Sequence, residues 1–233
     1  MFENITRIFF DSGMVLIYPR SGDWFLPDVY FEYCNKFSLK TKSLHQSINF
    51  KKAYYHLCQI RQIVNEEQEL QAFQTFYEIL FSGLKGKDNP NLVRLCCEAT
   101  VNDNRKYLFY DDVEVSIGKL NCKYELGLIS DAWPSLFNVY RNCNMYRYFE
   151  PFIVSSMYGC TKEGYDLFKF AMANVAQKPN ECLFIDDSYG NCKRAMRMGM
   201  EAIVLNRDKY YKGPKDILHL HNLKQLEEVL GIY

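Results

Sequence analysis

The chain has 233 residues, 48% apolar and 24% charged, the mix of an ordinary soluble globular protein and enough for one large domain carrying a sizeable insertion. Its 28 Lys and Arg balance 28 Asp and Glu, so no basic field argues for nucleic acid as partner and no block of like charge argues for a tail. Met1–Thr6 is too polar for a secretory signal and no run approaches the roughly 20 apolar residues of a membrane span, so a cytoplasmic location without membrane contact is expected. The nine cysteines lack Cys-x-x-Cys spacing and read as buried thiols rather than a disulfide or zinc framework.

In chain order, "RIFF" (7–10) is a short apolar run of buried-strand length that ends in Asp11. Residues 19–95 then read as helical. "DVYFEYCNKF" is a short helix and "LHQSINFKKAYYHLCQIRQIV" a longer one. In "EEQELQAFQTFYEILFSGL" apolar residues recur at Leu70, Phe73, Tyr77, Leu80, Phe81 and Leu84, the stripe of an amphipathic helix, punctuated afterwards by Gly83, Gly86 and Pro90. Aromatics at Tyr54, Tyr55, Phe73 and Tyr77 fit either a pocket lining or, more simply, the core of this module. Beyond it, "ELGLIS" (125–130), "FIVSS" (152–156), "CLFID" (182–186) and "AIVLN" (202–206) are further strands. They alternate with the helical segments "SLFNVYRNC", "GYDLFKFAMANVA" and "NCKRAMRMG", the last stopped by Gly199. "HNLKQLEEVLG" makes a final surface helix. The fold class is α/β: a parallel sheet flanked by helices, built from residues 1–18 and 96–233, with a helical module inserted at 19–95.

In open parallel sheets ligands bind beyond the carboxyl ends of the strands. Asp11, Ser130 with Asp131, Lys162, and Asp186 with Asp187 all fall at or just after predicted strand ends. Each has a plain structural alternative: a strand-ending turn, a helix cap, a solvated lysine or a polar loop. Their order and common placement suggest a phosphate-and-metal site. Asp11 suits a nucleophile that attacks phosphorus. Like-charge repulsion between carboxylate and phosphate calls for magnesium on hard oxygen ligands, with Asp186 placed to help hold it. Lys162 would neutralise phosphoryl charge, while Ser130 and the following helix start, with Pro134 in its first turn, would hydrogen-bond the phosphoryl oxygens.

These residues resemble the motifs of the haloacid dehalogenase-like (HAD) hydrolase superfamily, mostly magnesium-dependent phosphatases. The matching stretches are "FFDSGMVL" (9–16), "LGLIS" (126–130), "GCTKEGYDLF" (159–168), which lacks the prolines usual after the lysine, and "CLFIDDSYGNCKRAMRMGMEAIVLN" (182–206), the most specific. The resemblance covers residues 7–18 and roughly 100–230, and implies a Rossmann-like core whose helical insert is a cap that selects the substrate. It implies Asp11 as nucleophile and metal ligand, and Ser130 as phosphate-binding hydroxyl. Lys162 becomes the charge-neutralising lysine, Asp186 and Asp187 metal ligands, and Asn191 a supporting polar residue. Ser12 and Asp131 join Ser130 and Lys162 as substrate-binding candidates.

One position departs from the pattern. The phosphatases usually carry Asp two residues after the nucleophile as general acid and base; here it is Gly13. Glycine still supplies the backbone carbonyl that the family's metal uses, so Mg2+ binding is expected to survive while the proton donor is lost. Such acid–base help is worth ~10²–10⁴-fold, so alkyl phosphates should suffer most and aryl, acyl or anomeric phosphates least. Asp23, His45 and His56 are the cap residues that could substitute. The expected activity is hydrolysis of a small phosphorylated metabolite through an aspartyl-phosphate. The alternatives are a catalytically degenerate phosphate-ligand binder and a metal-free carbon–halogen hydrolase.

Overall fold

Ile8, Phe9 and Phe10 are completely buried, and the alternation of β1 (Arg7–Phe10) sends Ile8 and Phe10 into one apolar layer and Phe9 into the other. The computed structural model describes residues 2–37, 44–82 and 89–232. After β1 the chain passes through β2 (Ile17–Pro19) into the helices α1 (Asp28–Lys36), α2 (Ile48–Gln59), α3 (Glu66–Phe81) and α4 (Asn89–Val101). It returns through β3 (Tyr107–Phe109), which pairs antiparallel with β2. Then follow α5 (Val113–Asn121), β4 (Glu125–Ser130), α6 (Leu136–Asn142), β5 (Phe152–Val154), α7 (Ser155–Tyr158) and α8 (Asp166–Ala173). The chain finishes with β6 (Cys182–Asp186), α9 (Tyr189–Arg197), β7 (Glu201–Leu205), β8 (Leu218–Leu220) and α10 (Leu223–Val229).

The helical module has its own core. Phe73, Phe76, Tyr77, Leu80 and Phe81 of α3 are buried against Tyr30 and Cys34 of α1, Ala53 and Leu57 of α2, and Leu92, Cys96 and Val101 of α4. Phe73 and Tyr77 are therefore core, whereas Tyr54 and Tyr55 are about half exposed. Leu84, Gly83 and Gly86 lie outside the described residues. Side-chain caps start α2 and α3: Ser47 Oγ accepts from Phe50 N at 3.0 Å and Asn65 Oδ1 from Gln68 N at 2.9 Å. The expected boundary at residue 95 falls inside α4, whose packing continues to Val101 because Cys96, Cys97 and Val101 face this apolar cluster. All nine cysteines are free, and Cys58, Cys122 and Cys143 are exposed rather than buried.

Six strands form one parallel sheet in the order β5-β4-β1-β6-β7-β8. Helices α5, α6 and α10 cover the face holding Ile8 and Phe10, while α8 and α9 cover the face holding Phe9. Sequence patterning does not reveal β8, the pairing of β2 with β3, or α5; the three strands have three residues each, too short for a periodic signal. Phe10 is level with Leu128 of β4 and Ile185 of β6, so the carboxyl ends of three adjacent strands carry Asp11, Ser130 and Asp186 side by side. The chain leaves β1 toward β4 on one side and returns to β6 on the other, which makes this rim a topological switch point.

Gly127 keeps β4 close to β1: a Cβ there would lie 2.6 Å from the Phe9 ring and 3.3 Å from the Pro151 carbonyl. Gly127→Ala is expected to cost roughly 1–3 kcal/mol by overpacking. Urea unfolding of wild type and variant measures this directly, and equal midpoints would contradict it.

Candidate active site

Asp11 and Lys162 sit at the mouth of the sheet yet are only 7% and 2% exposed. Lys162 Nζ lies 2.7 Å from Asp11 Oδ1 and donates to Asp186 Oδ2 at 2.7 Å, tying the ends of β1 and β6 together. Asp186 is fully buried and held by several hydrogen bonds. Its Oδ1 accepts from Ser188 N at 2.8 Å, and Asn191 Nδ2 donates to both oxygens at 3.1 Å. Asp11 Oδ1 also accepts from Ser12 N at 2.7 Å, which leaves Oδ2 without a partner among the described residues. Asp187 adds a third carboxylate, and ligand oxygens of Asp11, Asp186 and Asp187 lie within 4.8 Å of one another.

The electrostatics follow from burial. Desolvation pushes the Asp11 carboxyl up to about 8; Lys162 opposes this, while Asp186 and Asp187 add to it. Burial works against the Lys162 ammonium, but Asp11, Asp186 and Asp131 outweigh it and hold the lysine above its ordinary range. Burial and the neighbouring Asp186 push Asp187 up to about 6. Three carboxylates share one ammonium, so the cluster lacks positive charge. A divalent cation held among the carboxylates of Asp11, Asp186 and Asp187, with the Gly13 carbonyl, which accepts no hydrogen bond from the described residues, fits that deficit.

The structure brings Asp11, Gly13, Ser130, Asp131, Lys162 and Asn191 to one opening of about 250 Å³. Ser130, 3% exposed at the end of β4, lines it, and its hydroxyl has no hydrogen-bond partner among the described residues. Asp131 is engaged elsewhere, since its Oδ1 accepts from the Lys162 backbone N at 3.0 Å and so positions the lysine loop. Ser12 is also committed, its hydroxyl sharing a buried 2.7 Å hydrogen bond with Tyr140 Oη on α6. Pro134 lies just before α6 rather than in its first turn. Asp23 and His45 pair with each other at 2.5 Å, and Asp23 Oδ1 also accepts from Phe25 N and Leu26 N. His56 lines a separate cavity in the helical module. None of these three lines the opening at Asp11.

Several supports escape a reading of the sequence because their partners are distant in the chain. Met14, beside Gly13, holds φ at 57°, a left-handed conformation that costs a non-glycine residue roughly 1–2 kcal/mol. Its turn is fixed by Leu16 N and Ile17 N donating to the Ser12 carbonyl at 2.8 and 3.0 Å. Arg207 clamps the same loop, donating to the Val15 carbonyl at 2.6 Å while forking onto Asp112 at 2.8 and 2.9 Å. On the module side Glu69 of α3, completely buried, accepts from Ser135 N at 2.8 Å and Ser135 Oγ at 2.5 Å. Burial raises its pKa, and Lys106, itself lowered by burial to about 8, attracts the carboxylate.

Removing Lys162 would leave two buried carboxylates uncompensated. Lys162→Met is expected to destabilise the fold by about 3–5 kcal/mol in urea, and adding Asp11→Asn to recover part of that loss. A Lys162→Met protein as stable as wild type would contradict the bridge.

No family model matches the chain. Bifunctional epoxide hydrolase 2 of Rattus norvegicus is 35% identical over 89 residues, which make up 38% of this chain and 14% of that protein. Three solved structures superpose over nearly the whole length. A HAD phosphatase from Thermococcus onnurineus is 17% identical with a TM-score of 0.63, covering 97% of this chain and 98% of its own. The HAD-hydrolase YfnB of Bacillus subtilis, bound to magnesium, is 16% identical with a TM-score of 0.64 over 98% and 99%. A 2-haloacid dehalogenase from Pseudomonas syringae is 16% identical with a TM-score of 0.68 over 97% and 98%. With its parallel sheet, its carboxylate–lysine rim and a helical module inserted after the first strand, the chain has the fold of the haloacid dehalogenase-like hydrolases.

Proposed function

We propose that this protein is a magnesium-dependent phosphoric monoester hydrolase that works through an aspartyl-phosphate on Asp11. Its substrate would be a small phosphorylated metabolite of the cytoplasm. The observation that carries the reading is the division of labour on Asp11. Lys162 and the Ser12 amide hold Oδ1, and Oδ2 is left unpartnered at the opening shared with Ser130. That is the arrangement of an oriented nucleophile.

Asp11 Oδ2 attacks phosphorus in line with the leaving group. The Lys162 ammonium offsets the charge that accumulates on the transferred group, and the Ser130 hydroxyl donates to one of its oxygens. Asp186 keeps the lysine aimed, Asn191 keeps Asp186 aimed, and Asp131 fixes the lysine loop. Bound Mg2+ would supply the positive charge that three carboxylates and one ammonium lack, and would hold the phosphoryl group against Asp11. Asp11, Asp186, Asp187 and the Gly13 carbonyl are the groups to hold it. Carbon–halogen hydrolysis would use the same nucleophile without a metal, but it gives the third carboxylate, Asp187, no role.

Two measurements test the proposal. In millimolar Mg2+ the wild type should hydrolyse p-nitrophenyl phosphate, and Asp11→Asn should lose roughly 10³-fold or more. Turnover undiminished by the substitution or by chelation would rule the mechanism out. Without substrate, saturating Mg2+ should stabilise the protein by about 2–3 kcal/mol at 100 times its Kd, seen as a rise in Tm, and Asp187→Asn should abolish most of that rise. An identical rise in the variant would remove Asp187 from the metal site.

A further inference from the structure

The space next to the nucleophile is aromatic. A second cavity of about 210 Å³ adjoins the opening at Asp11, and the two share Gly13, Trp24, Ser130 and Asp131. Its walls include Trp24, Phe25, Tyr107, Trp133, Ile17 and Leu136. The rings pack against further rings. Trp24 packs on Tyr107 at 5.3 Å between centroids, Trp133 meets the buried Phe73 edge-on at 5.4 Å, and Phe25 stacks on the buried Phe76 at 5.7 Å. A cavity of about 150 Å³ lined by apolar side chains accepts benzene, so this one has room for a single substituted ring.

Trp24 also crowds Gly13. A Cβ at residue 13 would stand 3.3 Å from Trp24 Cη2 and 3.5 Å from its Cζ2. The indole therefore occupies the space above Gly13 into which an acidic side chain at that position would project. Asp131 is the remaining carboxylate shared by the two cavities, and it is engaged with the Lys162 backbone.

Resting on the phosphatase reading above, we infer that the site is specialised for aryl phosphate monoesters, with the aryl ring held against Trp24 in the aromatic cavity while the phosphoryl group lies at Asp11, Ser130 and Lys162. The chemistry and the shape agree. A phenol titrates near 10, whereas an alkanol holds its proton about as tightly as water, near 15.7. In the first step the Asp11 Oδ2–phosphorus bond forms as the phosphorus–oxygen bond to the ring breaks. The phenolate leaves with the electron pair and takes its proton from solvent. Water then attacks the phosphorus of the acyl phosphate, the bond to Asp11 Oδ2 breaks with its electron pair returning to the carboxylate, and the proton that water loses passes to solvent as inorganic phosphate is released. An aryl leaving group needs no side-chain acid, at the position of Gly13 or in the cap, and a ring fills the cavity that Trp24 helps to close.

Binding and turnover test this separately. By calorimetry in Mg2+, wild-type protein should bind phenylphosphonate about 10–100-fold more tightly than methylphosphonate, the gain expected from burying one ring. Trp24→Ala should erase most of that difference, with Trp24→Phe retaining it in part. In turnover, phenyl phosphate should exceed glycerol phosphate by about 10²-fold or more in kcat/KM, the size of a missing general acid. Equal affinity for the two phosphonates, with p-nitrophenyl phosphate still hydrolysed through Asp11, would overturn the aryl assignment and leave the phosphatase reading standing. Glycerol phosphate turned over within tenfold of phenyl phosphate would do the same, by showing that another group donates the proton. Failure of both phosphonates to bind, with no hydrolysis of any phosphate ester, would remove both readings together.

Discussion

The Lys162 ammonium, buried between Asp11 and Asp186 at 2.7 Å from each, is the interaction on which the site rests. Taking such charges out of water costs several kcal/mol per ion, and the attraction between them offsets it only when every remaining lone pair and proton is satisfied. The fold meets that condition through one pairing, β1 beside β6, which sets the two carboxylates at neighbouring strand ends. Ser188, Asn191 and the Ser12 amide then complete the hydrogen bonding. What is left over is one oxygen of Asp11 and the carboxylate of Asp187, facing an excess of negative charge.

Around this centre, residues distant in the chain hold short loops still. Arg207, near the C-terminal end, grips the Val15 carbonyl and Asp112, and so fixes the turn in which Met14 takes its left-handed backbone. Glu69 reaches from the helical module to Ser135, which itself lines the aromatic cavity. The module is thereby joined to the sheet by a buried carboxylate as well as by ring contacts such as Phe73 on Trp133. Trp24 links the two layers of function, since it lies over Gly13 and walls the adjoining cavity at once.

Five of the sheet's six strands are legible in the sequence because they are near-continuous apolar runs closed by a polar residue, and the site is legible because those polar residues fall at carboxyl ends. Asp11, Ser130, Lys162 and Asp186 meet in space as their spacing implies. What sequence cannot show is which lone pairs are already used. Ser12 shares its hydroxyl with Tyr140, 128 residues away, and Asp131 Oδ1 accepts from the Lys162 amide, partners that no local pattern announces. The helical module is likewise recognisable from the α3 stripe. Its end is not, because α4 carries no break at residue 95 and its apolar residues run on to Val101. Gly13 stands out as a missing acid, but its companion Trp24 lies 11 positions on, in a loop with no periodic signal.

The central claim is that Asp11 forms a covalent bond to phosphorus, and the most direct test is to catch that bond. Acid quenching during turnover of p-nitrophenyl phosphate in Mg2+, followed by proteolysis and mass spectrometry, should find a phosphoryl adduct on the peptide carrying Asp11 and on no other. A phosphoryl group on a different residue, or p-nitrophenol released in a burst with the Asp11 peptide unmodified, would contradict the account.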